Sequence, residues 1–183
     1  MLLEIPIAID AFIMIVNNSN PVNNLTTKQI QDIYTGEITN WVEVGGKAGI
    51  INPYIRNSTS GSQVLMESLI MKDLAMTDLP ALDMSSTMWG PFQILSNDNN
   101  GICYTVYYYH EFMARAEGVK SIAVDGVHPE FSTLQKREYP YTTDVYVMIR
   151  KDLDKSSMAY KLFNLLLSGA GRKVIEESGY VPY

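Results

Sequence analysis

The stretch from Ile5 to Val16 constrains the fold most. Ile5, Ile7 and Ile9 alternate with Pro6 and Ala8, and the chain is then almost continuously apolar from Phe12 to Val16. Alternation marks a strand with one face on a core, and an unbroken run marks burial on both faces, so a long strand is predicted whose second half is buried on both sides. A second alternating stretch, Val145, Val147 and Ile149 after Tyr139 to Tyr141, predicts another long strand that can lie beside the first. The reading is of one α/β unit over residues 1–183. The chain crosses on 1–16, makes an excursion over 17–140, and returns on 141–183 through crossing strand and C-terminal helices. A cleft where the crossings occur is a natural place for a small ligand.

The intervening elements follow from caps and breakers. Thr26 or Thr27 caps a short helix with Ile30, Ile33 and Tyr34 on one face and Gly36 as its left-handed stop, and Trp41 follows in a loop closed by Gly45 and Gly46. A strand is predicted over Ile50 to Ile55 despite Pro53, then a helix capped by Ser85 or Ser86 through about Leu95, with Pro91 weakening its middle. Further elements are a strand from Ile102 to Tyr107, a helix from Glu111 to Glu117 and a strand from Ser121 to Val124. Asp152 or Asp154 caps a helix that buries Leu162, Phe163, Leu166 and Leu167. A last helix, Ser168 to Ser178, is ended by Gly179 and Pro182.

Between the predicted strand at 50–55 and the helical stretch Val64 to Met71 lies Arg56-Asn57-Ser58-Thr59-Ser60-Gly61-Ser62. The first amides of a helix have no intrahelical acceptor and sit at its positive end, and Gly61 lets a ligand approach the backbone closely. Arg56 can return across the turn with a two-pronged guanidinium contact. Arg56, Ser60, Gly61 and Ser62 are therefore the candidate oxyanion-binding residues. The plainer reading of the same residues is a Ser/Gly helix cap with a solvated arginine before it.

Composition removes several classes. With 46% apolar and 19% charged residues, 183 residues can form an ordered core. A net charge of −6 with only 14 Lys plus Arg argues against nucleic acid as a partner, while leaving room for a small anion at one local cation. The apolar run Ala11 to Val16 is too short to span a bilayer, and no positively charged leader precedes it. Cys103 is the single cysteine and, with His110 and His128, lacks zinc-ligand spacing, so no metal or cofactor is expected. No Gly-x-Ser-x-Gly pattern is present, and no catalytic residue is assigned. Asp152 and Asp154 read as a helix cap rather than an acid/base pair. Tyr104, Tyr107, Tyr108 and Tyr109 read as alternating packing residues of a strand rather than a stacking platform. Asp10, beside the first crossing, either pins the crossing or accepts a hydrogen bond from a protonated ligand.

PIAIDAFIMIVN, NLTTKQIQDIYTGEITNW, RNSTSGS, GICYTVYYY and YPYTTDVYVMIRKD followed by LFNLLLSGAGRKVIEESGYVPY occur in this order, and together the chain resembles the solute-binding proteins of phosphate ABC transporters. The resemblance implies a type II periplasmic-binding-protein-like fold with a mixed sheet flanked by helices and the first lobe incomplete. In the family's ligand motif an arginine, three residues and Ser-Gly-Thr hold phosphate oxygens; Arg56, Ser60, Gly61 and Ser62 occupy these positions, with Ser62 in place of threonine. The implied partners are phosphate or a similar oxyanion, a missing N-terminal lobe and, at full length, an ABC permease. The implied location is extracytoplasmic, periplasmic or lipid-anchored as a lipoprotein. The family's opening strand, phosphate loop, serine and aspartate are not in this sequence, which implies a C-terminal portion, either a fragment or a domain of a larger chain. The alternative is an interaction or sensor module that keeps the fold with a vestigial or different anion site.

Overall fold

The computed structural model describes residues 1–79 and 87–183. In chain order it contains β1 (Leu2–Asn17), β2 (Asn24–Leu25), α1 (Thr27–Thr35), a 3-10 turn (Trp41–Val44), β3 (Asn52–Pro53), and α2 (Gly61–Leu65) continued by a widened helical segment (Met66–Met71). Next come α3 (Gly90–Leu95), β4 (Gly101–Val106), a second widened segment (Tyr109–Ala114), β5 (Val119–Ser121), β6 (Ala123–Val124), α4 (Phe131–Gln135), β7 (Thr142–Arg150), α5 (Met158–Leu166), α6 (Gly169–Glu177) and β8 (Val181–Pro182).

The long strand β1 organises the sheet. Its first part, Leu2 to Ala11, pairs antiparallel with Arg150 to Thr142 of β7, and Ala8 and Ile9 also pair with β8. From Phe12 onward β1 changes neighbours: Phe12 to Val16 pair with Val106 to Ile102 of β4, and Ile15 to Asn17 pair with β5. The Phe12 N–H donates to the Tyr141 carbonyl at 2.9 Å, exactly where β7 is about to begin its pairing. Residues 11 to 16 are fully buried, as the unbroken apolar run requires, and anchor a core that includes Tyr34, Trp41, Phe92 and Tyr104. No helix among the described residues is long and apolar enough to cross a membrane.

Several local expectations are met and others corrected. Thr26 is the cap of α1: its side chain accepts from Gln29 N–H, Ile30, Ile33 and Tyr34 are buried, and Gly36 stops the helix at φ 85°. The strand expected at 50–55 pairs with β4 only at Asn52 and Pro53, in parallel, because it lies at the sheet edge, where the missing proline N–H is tolerated. Pro91 sits in the first turn of α3 instead of weakening a helix middle, and Ser85 and Ser86 lie outside the described residues.

The strand expected to reach Tyr107 ends at Val106. Tyr107 to Tyr109 turn into a helix because the Asp10 carboxylate accepts the Tyr108 N–H at its start, so strand alternation does not govern those tyrosines. The helix expected over Glu111 to Glu117 is the widened segment Tyr109–Ala114, ended by Arg115 at φ 47°. The strand expected over Ser121 to Val124 is split between β5, on β1, and β6, on β2.

Ser157, not Asp152 or Asp154, caps α5 by accepting from Tyr160 N–H. Asp154 instead holds the preceding turn through Ser156 N–H at 2.8 Å, and Asp152 pairs with Arg150. Of the four side chains expected on the buried side of α5 only Phe163 is buried; Leu162 is 56% and Leu167 40% exposed.

Candidate functional site

The backbone of Arg56 is fixed before its side chain acts. Its N–H donates to Gln63 Oε1 at 3.0 Å and to the Tyr104 hydroxyl at 3.2 Å, and Tyr104 in turn donates to Gln63. Gln63 Nε2 donates to Glu67 at 2.9 Å, which orients the amide so that its oxygen faces Arg56. Tyr104 stands on β4 and is itself packed between Phe12 and Tyr34, with ring centroids 5.4 and 5.9 Å away. Burial pushes its hydroxyl well above the ordinary tyrosine range, so it stays a neutral donor.

The guanidinium is buried, with Arg56 only 5% exposed. Nη1 donates to Ser62 Oγ at 3.0 Å and Nη2 to the Thr87 carbonyl at 3.1 Å. Ser60 is the N-cap of α2, yet its hydroxyl makes no capping bond and lies 3.1 Å from Ser62 Oγ. Among the described residues the Gly61 and Ser62 N–H groups have no protein acceptor, and a Cβ at Gly61 would meet no protein atom within 4 Å. The four residues singled out from sequence therefore come together, and all four line one cavity of 430 Å³.

That cavity has further walls that local sequence reasoning misses. Val106 at the end of β4 and Thr143 and Asp144 at the start of β7 line it, as do Leu65 and Met88. Thr143 and Asp144 arrive because β7 begins where β1 changes neighbours; the predicted pairing of the two long strands is the signal that could have placed them. Asp144 is paired with Arg137 at 2.5 Å, which offsets its negative charge at the cavity wall. Gln63, Tyr104 and Thr87 hold Arg56 without any short-range sequence signature.

The other candidates lie elsewhere. His110 is buried against Phe92, with the rings 5.8 Å apart, and neither it nor His128 lines the Arg56 cavity. Cys103 is fully buried and its thiol is pushed up to about 12 by burial. Among the described residues no group of three or more His, Cys, Asp or Glu side chains is placed to hold a metal ion.

Asp10 is 7% exposed and does not line the cavity; its Oδ1 accepts the Ala11 N–H at 2.8 Å and the Tyr108 N–H at 3.0 Å. Burial raises its pKa above 3.8, with the two amides opposing. The folded protein therefore holds this proton at a pH where the unfolded chain has lost it. The group's stabilising contribution is complete below 3.8 and is lost as pH rises through the folded-state pKa. Asp10→Asn keeps the accepting oxygen and removes the titration. The variant should gain stability relative to the parent as pH rises from below 4 to 7, read from denaturation midpoints; a pH-independent difference would contradict this.

Comparison with known proteins follows the same outline. A family model described as a PBP superfamily domain matches residues 1–169. The chain belongs to the PBP superfamily. Relatives of this PBP domain include the protein SphX of Synechococcus elongatus, 27% identical over 193 residues, covering 98% of this chain and 56% of the relative. The phosphate-binding protein PstS of Borreliella burgdorferi is 22% identical over 188 residues, covering 97% and 65%. The chain thus spans somewhat over half the length of these curated relatives.

Among solved structures, a putative phosphate ABC transporter substrate-binding protein with bound phosphate from Clostridium perfringens matches with a TM-score of 0.81 at 24% identity, over all of this chain and 72% of that one. An ABC-type phosphate transport receptor from Vibrio cholerae matches with a TM-score of 0.78 at 24% identity, over 98% and 72%. The fold is therefore the type II PBP-like arrangement, with a mixed sheet flanked by helices, that the sequence implies.

Proposed function

We propose that this PBP domain forms one side of a binding site for phosphate or a similar tetrahedral oxyanion, within an extracytoplasmic ABC-transporter solute-binding protein that passes its ligand to an ABC permease without catalysis. The observation that carries this reading is that Arg56, Ser60, Gly61 and Ser62 line one cavity, with the guanidinium and both hydroxyls linked at its wall and the Gly61 and Ser62 N–H groups without a protein acceptor among the described residues. Fixed donors around a recess stabilise an anion because they need no reorganisation when it arrives. The names of the relatives, several of them phosphate-binding proteins, support the same ligand class.

The cavity is broad for a tetrahedral anion, and apart from the Thr143 hydroxyl its donors come from the Arg56 to Ser62 segment. The remaining donors are assigned to a further α/β segment, the N-terminal lobe implied by the sequence resemblance. Exposed apolar side chains supply a surface for it: Leu2, Tyr146 and Met148 on one face of the β1–β7 pair, and Met158, Leu162 and Leu165 along α5. Calorimetric titration of the 183-residue chain with phosphate should give a dissociation constant on the order of 1 mM, far weaker than a two-sided enclosed site gives. Absence of any phosphate binding would overturn the anion reading, and tight, submicromolar binding would overturn the one-sided reading.

A further inference from the structure

A second cavity, of 270 Å³, opens among the loops that follow β1, follow the 3-10 turn and precede β4. It shares no lining residue with the Arg56 cavity. Asn100, in its wall, precedes the first residue of β4, whereas Val106 at the other end of β4 lines the Arg56 cavity, which sets the two roughly 20 Å apart along that strand.

We propose that this cavity is a second ligand site, for a small carboxylate-bearing polyol of the size of a sugar acid.

The recess is built and braced. Asn17 Nδ2 donates to the Leu95 carbonyl at 2.6 Å while its Oδ1 accepts from the Ser19 N–H and hydroxyl, tying the loop after β1 to α3. Trp41 donates through its N–H to the Gly49 carbonyl at 3.0 Å and through Nε1 to the Asn100 carbonyl at 2.9 Å, tying the other two loops together. The Asn100 side chain sits against Gly49, where a Cβ would come within 2.7 Å of its Oδ1, so the two loops are in close contact at this point. A wall fixed in this way holds its polar groups in place before a ligand binds.

Those polar groups define the ligand. Asn20 is 3% exposed; its Oδ1 accepts the Val22 N–H at 3.0 Å, and its amide nitrogen has no protein acceptor among the described residues. Asn20 lines the cavity, and this donor is reached by solvent there, so it is free to bond an acceptor that a ligand brings. Asn99 and Asn100 add amides that both donate and accept, which suits hydroxyl groups, and Ser19 retains acceptor capacity. Lys47 lines the cavity and makes no ion pair among the described residues, and no acidic side chain is among the lining residues. An ammonium with no neighbouring carboxylate selects a ligand that brings one.

Glucuronate is the probe, with glucose and inorganic phosphate as comparison ligands. The protein has two tryptophans, so two indole N–H signals report the two regions by NMR: Trp41 beside this cavity, and Trp89 beside Met88 of the Arg56 cavity. Glucuronate should shift the Trp41 signal saturably, with a dissociation constant on the order of 1 mM, and leave Trp89 in place.

Asn20→Asp keeps an oxygen for the Val22 N–H but replaces the donor with a negative charge, and exposed Lys47→Met removes the cation without touching the core. Each should weaken glucuronate binding by about tenfold or more, while Arg56→Ala leaves it unchanged. No saturable Trp41 shift in the parent chain, or binding as tight as the parent's in both variants, would overturn the site. Glucose binding as tightly as glucuronate would overturn the role of Lys47, and phosphate displacing glucuronate at equal concentration would overturn the polyol assignment. Because Trp89 and Arg56→Ala report the first cavity separately, failure here and failure of the oxyanion reading are distinguishable.

Discussion

Replacing Arg56 by alanine should weaken phosphate binding by roughly ten- to a hundredfold, the equivalent of about 1.5 to 3 kcal/mol for a charge-assisted contact. In the isolated chain, for which a millimolar dissociation constant is expected, calorimetry should read this as loss of measurable binding. The effect is large because the guanidinium is buried and pre-placed: its Nη1 and Nη2 bonds to Ser62 Oγ and the Thr87 carbonyl hold it at the cavity wall, and its own backbone is held by Gln63 and Tyr104. Arg56→Lys retains a positive charge but loses the planar fork, so it should fall between parent and alanine variant. Thermal unfolding of each variant separates lost binding from lost structure. Phosphate affinity unchanged in a folded Arg56→Ala protein would remove this side chain from the site.

Phe12→Ala is expected to lower stability by about 3 to 5 kcal/mol, a large part of the margin a domain of this size has. Phe12 is fully buried, stands opposite Val106 in the β1–β4 register, and places its ring 5.4 Å from that of Tyr104. It is also the first residue of β1 beyond the pairing with β7. Truncation therefore opens a cavity where both halves of the sheet meet and loosens the tyrosine that positions Arg56. The denaturant midpoint should fall with the slope of the transition unchanged. A loss below about 1 kcal/mol would mean that neighbouring side chains collapse into the space.

The features legible in the sequence are those written in short-range patterns. The change from alternating to continuous apolar residues in β1, the Thr26 cap with its Gly36 stop, and the Arg56 to Ser62 turn each carry their signal within a few positions. What was not legible depends on partners far along the chain. Tyr108 begins a helix because Asp10, 98 positions earlier, accepts its N–H, and no local pattern in a run of tyrosines announces that. Gln63 and Tyr104 reach Arg56 from a helix and a strand 7 and 48 positions away, and Asp144 reaches the cavity only through the pairing of β7 with β1. The cap of α5 illustrates a different limit. Asp154 and Ser157 are both good capping residues, and the choice between them was made by the turn that Asp154 closes on Ser156.

One strand serves both parts of this sheet without a break, gripping β7 and β8 with its first residues and β4 and β5 with its last. Reorientation of one part against the other would twist continuous backbone near Ala11 and Phe12, because sliding would break the register that β1 keeps with β7 on one side and β4 on the other. The molecule has a torsion bar where a jointed design would have a loop. Its resistance to twisting acts directly on the cavity walls formed by Val106 and Thr143, which stand at the two ends of that bar's grip.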